Sequence, residues 1–269
     1  GPALIGPRFD PGDPDLQLLF DPRLDDVIGR PFTNEKVSNG ALTIGAFSVI
    51  ALTSLADFFT ADDLHHTHAV ALGAVETLAG TVLVVEALKP LVGRLRPDYR
   101  DRFVHAACGG TIAVPAGLDC AGVDNSFTVD ADDLRDGQKS FASGHAATSF
   151  AMATYASWWL GTKLVWAKDA PAWGPAVGSL GIGSLMSVAG FVSASRLSDN
   201  RHHPEDVVVG AALGAGIASA LWFTHVDLDG RARRRGAADD DAVSVEVAPA
   251  LGMGSTGTGT GLALVATLP

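Results

Sequence analysis

Charge, basic residues and cysteine are all scarce in this chain of 269 residues, and each scarcity excludes something. Charged residues make up 18% against 47% hydrophobic ones, a balance too apolar for a disordered chain. Lys and Arg number 19 against 30 Asp and Glu, for a formal charge of -11. Most of such a surface repels a phosphate backbone, so nucleic acid is not an expected partner and only a local basic site is left open. The two cysteines, Cys108 and Cys120, form no CxxC pair and have no His at metal-ligand spacing, so no metal site is expected of them. A short disulfide in an oxidising compartment is the preferred reading, with two unrelated free thiols as the alternative. The chain opens Gly1-Pro2 rather than on Met, consistent with prior removal of a signal peptide.

What is abundant is Ala and Gly (31 of the latter) inside long uncharged stretches. Small residues favour close helix packing. Val37 to Ala56, Ala69 to Leu88, Phe141 to Thr162, Ala170 to Ser195 and Val207 to Thr224 read as five long helices. The second is interrupted by Glu76 and Glu86, and Glu86 lies three residues before Lys89, where the two share a helix face. Asp57, with Asp62 and Asp63, is expected to end the first helix. The other three have lengths sufficient to cross a bilayer. The expected fold is all-α, a bundle of about five long helices with its active site at one end.

Three domains of different character are expected. Residues 1–36, with turn signals such as Asp10-Pro11-Gly12-Asp13-Pro14, read as an extended arm that packs on something else. Residues 37–225 form the bundle, with 98–139 as a polar inserted loop that holds both cysteines. Residues 226–269 carry a basic cluster from Arg231 to Arg235, an acidic run at Asp239 to Asp241, and alternation over Val243 to Val247. Together with Leu262 to Val265, they read either as a short hairpin or as a disordered tail.

Three polar clusters sit at the ends of the apolar stretches. In the first, Lys89 is followed by Arg94 and Arg96, and Pro97 keeps that segment from remaining helical. In the second, Ser140, Ser143, Gly144 and His145 open a helix, where backbone N–H groups and a hydroxyl can face an anion. In the third, Ser195-Arg196 precedes His202 and Asp206, four residues apart, so that a carboxylate can reach an imidazole, fix its tautomer and leave the other ring nitrogen as a nucleophile. Lys89, Arg96 and Arg196, with Ser143 and the Gly144 N–H, supply positive charge and donors for the oxygens of a phosphoryl group without a carboxylate cage for Mg²⁺.

Together the clusters resemble the signature of the type 2 phosphatidic acid phosphatases, the superfamily that includes lipid phosphate phosphatases, bacterial non-specific acid phosphatases and vanadium haloperoxidases. That signature runs Lys, six residues, Arg-Pro; Pro-Ser-Gly-His; then Ser-Arg, five residues, His, three residues, Asp. Here it reads Lys89 with Arg96-Pro97, Ala142-Ser143-Gly144-His145, and Ser195-Arg196 with His202 and Asp206. The resemblance implies that His202 attacks phosphorus to form a phosphohistidine, Asp206 orients it, and His145 protonates the leaving oxygen. Lys89, Arg96, Ser143, Gly144 and Arg196 bind the phosphate, and Ser195 supports the loop or the phosphate. Ala142 stands where the family has Pro, which is expected to alter rigidity rather than chemistry.

Chain order puts the three clusters at one end of the bundle and Lys163, Lys168 and Arg231 to Arg235 at the other. The positive-inside rule then faces the site toward the periplasm or exterior, on the side of the cysteine loop. The expected activity is metal-independent hydrolysis of phosphate monoesters or pyrophosphates, most readily of lipids, at a membrane. No cofactor is expected, and vanadate is expected to inhibit. A soluble periplasmic acid phosphatase and a vanadate-dependent haloperoxidase, in which vanadate is the cofactor, are the alternatives. Gly210 and Gly214 would serve close packing in either setting. His65, His66 and His68 are expected to be solvated or interfacial, His203 to cap or pack, and Arg94 and Arg201 to steer anions.

Overall fold

The computed structural model describes residues 19, 21–61, 63–115, 118–123 and 128–233, together with the backbone of 244–254 and 257–267. Most of the N-terminal arm, Arg234, Arg235 and the acidic run from Asp239 to Asp241 lie outside these residues. The chain divides into two compact units at Arg233/Arg234. In the second unit, β1 (Ser244–Gly254) and β2 (Gly257–Thr267) pair antiparallel, with Ser244 opposite Thr267.

The regular elements described in the first unit are helices. A 3₁₀ turn at Pro22–Leu24 runs into α1 (Asp25–Ile28), so this part of the arm is not extended. The long helices are α2 (Asn39–Thr60), α3 (Leu64–Val92), α6 (Gly144–Leu160), α7 (Gly174–Ser198) and α8 (Pro204–His225). The insertion between α3 and α6 is not a plain loop, since it contains α4 (Tyr99–Cys108) and α5 (Ala131–Asp136). Asp130 starts α5 through a capping box with Asp133.

Helix α6 is the centre. It packs on α2, α3, α7 and α8, and eleven of its residues are buried, five of them alanines. The core beneath it joins Ile50, Val70, Met152, Tyr155, Trp159 and Trp222. Two glycines permit the tightest crossing: a Cβ on Gly210 would lie 2.5 Å from the Ser143 carbonyl oxygen, and one on Gly214 2.0 Å from that of Ala147. Helix α8 therefore lies with its backbone against α6, which fixes the start of α8 against the start of α6.

Asp57 does not end α2, which continues to Thr60. Its buried carboxylate accepts from Trp159 Nε1–H and His66 Nδ1–H, each at 2.8 Å, and lies 3.3 Å from Lys163 Nζ. The Gly230 carbonyl accepts from His66 Nε2 at 2.9 Å. Of the three clustered histidines, His66 is thus a half-buried tie between α2, α3 and the segment after α8. Among the described residues no His, Cys, Asp and Glu group is arranged to hold a metal.

Four helices, α2, α3, α7 and α8, are long and apolar enough to cross a membrane, and only 22–39% of their apolar windows is buried. Phe47, Leu52, Phe59, Leu180 and Phe191 are exposed on α2 and α7. So large an exposed apolar surface is costly in water and suits a bilayer. It speaks against the soluble alternative.

Cys108, the last residue of α4, is disulfide-bonded to Cys120, with 5.5 Å between their Cα atoms. Closing this loop contributes up to about 3 kcal/mol by restricting the unfolded chain. Reduction with dithiothreitol is therefore expected to lower the midpoint of thermal unfolding. An unchanged midpoint after verified reduction would refute that contribution.

Candidate active site

The three polar clusters meet at one end of the bundle. Helix α3 carries Lys89 in its last turn and ends at Gly93, whose left-handed φ of 61° turns the chain so that Arg94 and Arg96 leave the helix axis. The Arg96 N–H then donates to the Gly137 carbonyl at 2.8 Å, and Ser140 N–H to the Arg94 carbonyl at 2.9 Å, so the segment lies alongside the approach to α6. Ser143 caps α6, the Phe141–Ala142 peptide is cis, and Gly144 and His145 form the first turn. Helix α7 ends with Ser195 and Arg196 buried, and α8 begins just after His202 and His203.

Lys89, Arg96, Gly144, His145, Arg196 and His202 line the same cavity, about 730 Å³ in volume. Arg201 lines it too. Its guanidinium stacks on Phe32 at 4.4 Å and lies 3.4 Å from Asp98. Ser143, Ser195 and Asp206 are buried behind the lining. Ser143 Oγ accepts from the Ala146 N–H at 3.4 Å, and Ser195 Oγ accepts from Arg196 Nε at 3.2 Å. Ser195 thus supports the arginine.

His202 is oriented differently from the expectation. Its Nδ1 is 2.6 Å from the Ser140 carbonyl oxygen, whereas the Asp206 carboxylate is 4.0 Å away, beyond hydrogen-bond distance. A carbonyl can only accept, so the proton sits on Nδ1 and the lone pair on Nε2. Asp206 acts on His202 through its charge and shares hydrogen bonds with His202's neighbours. It accepts from Ser140 Oγ at 2.5 Å, from the His203 N–H at 3.0 Å and from Arg94 Nη1 at 3.0 Å. His203 caps α8, with Nε2 donating to the Val27 carbonyl at 3.0 Å, and Arg94 is held by Asp206 and Glu205. The reason is geometric: the start of α8 turns Asp206 toward its own N-terminus, where it caps the helix.

Burial above all, and then the Arg96 guanidinium, hold the His202 pKa well below the ordinary imidazole value, against the opposing pull of the Ser140 carbonyl and Asp206. The imidazole is therefore neutral at ordinary pH, with its Nε2 lone pair intact.

A strap preceding α2, residues 32–37, enters the site from outside all three clusters. The Val37 carbonyl accepts from Arg196 Nη2 at 2.9 Å and from His145 Nε2 at 3.1 Å. The Thr33 carbonyl accepts from Arg201 Nη2 at 2.8 Å, and Glu35 lines the cavity.

Lys89, Arg96, Arg196 and Arg201, which the cavity gathers around a neutral, buried imidazole, lie within the stretch that the family profile matches. The profile described as PAP2 superfamily matches residues 69–228. The chain belongs to the PAP2 superfamily. Diacylglycerol pyrophosphate phosphatase 1 of Saccharomyces cerevisiae is 31% identical over 70% of this chain and 64% of its own length. Lipid phosphate phosphatase 2 of Arabidopsis thaliana is 32% identical over 62% of this chain and 54% of its own. Probable diacylglycerol pyrophosphate phosphatase 1 of Schizosaccharomyces pombe is 35% identical over 52% and 47%. The chain thus spans about half to two thirds of the length of these relatives. No solved structure matches it. The PAP2 match includes all three clusters and α4 to α8, but not the strap that delivers Glu35 and Val37.

Proposed function

We propose that the protein is a lipid phosphate phosphatase that works through a phosphohistidine and without a metal. The observation that carries this reading is the tautomer of His202. With Nδ1–H donated to the Ser140 carbonyl, Nε2 is the nucleophilic nitrogen of a residue lining a cavity that also holds Lys89, Arg96, Arg196 and Arg201. The Nε2 lone pair attacks phosphorus as the P–O bond breaks, and His145, neutral because burial and the Arg196 guanidinium hold its pKa down to about 4, relays a proton from the monoanionic phosphoryl group to the leaving oxygen. Water then attacks phosphorus as the P–N bond breaks, His145 takes the water's proton and passes it to the phosphate, and phosphate leaves with the Nε2 lone pair restored. The cations and the Gly144 N–H stabilise charge on the non-bridging oxygens, the main demand of phosphoryl transfer.

Lipid substrates are favoured because the cavity is also lined by Leu42, Val82 and Val85, on two helices able to span a membrane. The named activities of the yeast and plant relatives agree with this choice. The site faces the periplasm or the exterior. The Cys108–Cys120 disulfide on the site side supports that orientation better than charge does, since Arg100, Arg102 and Arg135 lie in the same insertion, paired with acids.

Phosphate release should be measured from phosphatidate, diacylglycerol pyrophosphate, phosphatidylglycerol phosphate, undecaprenyl pyrophosphate and a soluble monoester, with and without EDTA and vanadate. Release from at least one lipid, unaffected by EDTA and inhibited by vanadate, is expected. Dependence on added Mg²⁺ would overturn metal independence. Dye halogenation with peroxide and vanadate, without phosphate release from any ester, would overturn the activity itself.

A further inference from the structure

The cations of the cradle are held by carboxylates that the family signature does not contain. Arg96 and Asp136 form a two-pronged pair, with Nη2 donating to Oδ1 at 2.9 Å and Nη1 2.9 Å from Oδ2. Two parallel N–H···O contacts are also how a guanidinium grips a phosphate. Glu35 lies 3.6 Å from Arg196 Nη1 and 3.7 Å from Arg201 Nε. Both acids line the cavity. They come from separate elements, Glu35 from the strap before α2 and Asp136 from the end of α5.

Exposure separates the two sides of each pair. The Arg96 side chain is 7% exposed and that of Asp136 47%; for Arg196 and Glu35 the figures are 1% and 28%. Two of the arginines have further partners, Arg196 in Asp199 and the Val37 carbonyl, Arg201 in Asp98, the Thr33 carbonyl and the Phe32 ring, and Arg96 is held by its burial. The carboxylates are the partners with room to leave. A fixed cation with a displaceable anion is an exchange site for another anion.

We propose that Asp136 and Glu35 are positioning residues that act through Arg96, Arg196 and Arg201 as exchangeable counter-anions. They hold the guanidiniums in place, give way to the phosphoryl group, and compete with the phosphate product for the same nitrogens, which speeds its release. This rests on the cavity being the phosphate cradle. It predicts a sign that a purely structural ion pair would not give, because removing the negative charge should tighten phosphate binding.

The test uses the full chain in detergent, with inorganic phosphate as the probe and its Kd measured by calorimetry, for Asp136→Asn, Glu35→Gln and Arg96→Ala. Each neutralisation is expected to lower the Kd roughly tenfold. On the lipid hydrolysed best, KM should fall, and kcat should fall too as product release slows. Glu35→Gln stands on a different element, so it keeps the test decisive if Asp136→Asn fails to fold. A Kd unchanged or raised in every folded variant of the pair, with phosphate binding by the unsubstituted chain lost in Arg96→Ala, would overturn this inference and leave the cradle standing. Phosphate binding indifferent to Arg96→Ala would overturn both.

Discussion

His202→Ala is expected to abolish phosphate release, with kcat lower by at least roughly 10⁴-fold, the scale on which removal of an activated nucleophile acts. The side chain is buried, donates from Nδ1 to the Ser140 carbonyl and lines the cavity with Lys89, Arg96, Arg196 and Arg201. Truncation leaves the cations in place, so substrate should still bind while no covalent intermediate forms. Two measurements check this: acid-labile, base-stable ³²P labelling of the protein by substrate, and equilibrium binding of substrate. Labelling should disappear and binding should persist. If His202→Ala kept more than a few per cent of the turnover, the phosphohistidine route would be refuted. The low pKa of His202 adds a further requirement, since a nucleophile held neutral by burial stays competent on the acid side of the ordinary imidazole range. An acid limb of kcat/KM near pH 6.5 would therefore have to belong to another group.

The five long helices and the convergence of their polar ends were legible in the sequence because both are carried by side chains in order. Uncharged runs mark the helices, and the spacing of Lys89, Arg96, His145, Arg196, His202 and Asp206 marks one chemistry. The errors have particular causes. Asp57 looked like a helix terminator because a lone carboxylate in an apolar run has no visible partner, and His66, Trp159 and Lys163 reach it only after folding. The hydrogen-bond partner of His202 Nδ1 is a backbone carbonyl, which any residue at position 140 would supply, so no side-chain pattern could announce it. Asp206 lies beside His202 and takes its hydrogen bonds from Ser140 and His203. Glu35 was invisible for a third reason: Arg196 and Arg201 are more than 150 residues away in sequence, and nothing local in a polar arm foretells such a contact. One missed element did leave a signal, since Asp130 and Asp133 form the capping box that starts α5.

Gly214→Val is expected to be the most destabilising single substitution in the bundle outside the polar site. A Cβ there would sit 2.0 Å from the Ala147 carbonyl oxygen, 2.8 Å from its carbon and 3.0 Å from the Ala151 nitrogen. Every one of these obstacles is helix backbone, which cannot swing aside as a side chain can, so α8 and α6 must separate. Overpacking of this kind costs about 3 kcal/mol. The loss extends to the active site, because the Ser143 N–H donates to the Asp206 carbonyl at 3.0 Å one helical turn beyond Gly210, across the same crossing. Gly216 is the control, on the same helix but with no heavy atom within 4 Å of where a Cβ would lie. Gly216→Ala should leave the unfolding midpoint and the yield of monodisperse protein in detergent unchanged, and Gly214→Val should depress both. Equal midpoints for the two variants would mean that the helices do not meet at Gly214, and the alignment of Asp206 with Ser143 would then need another cause.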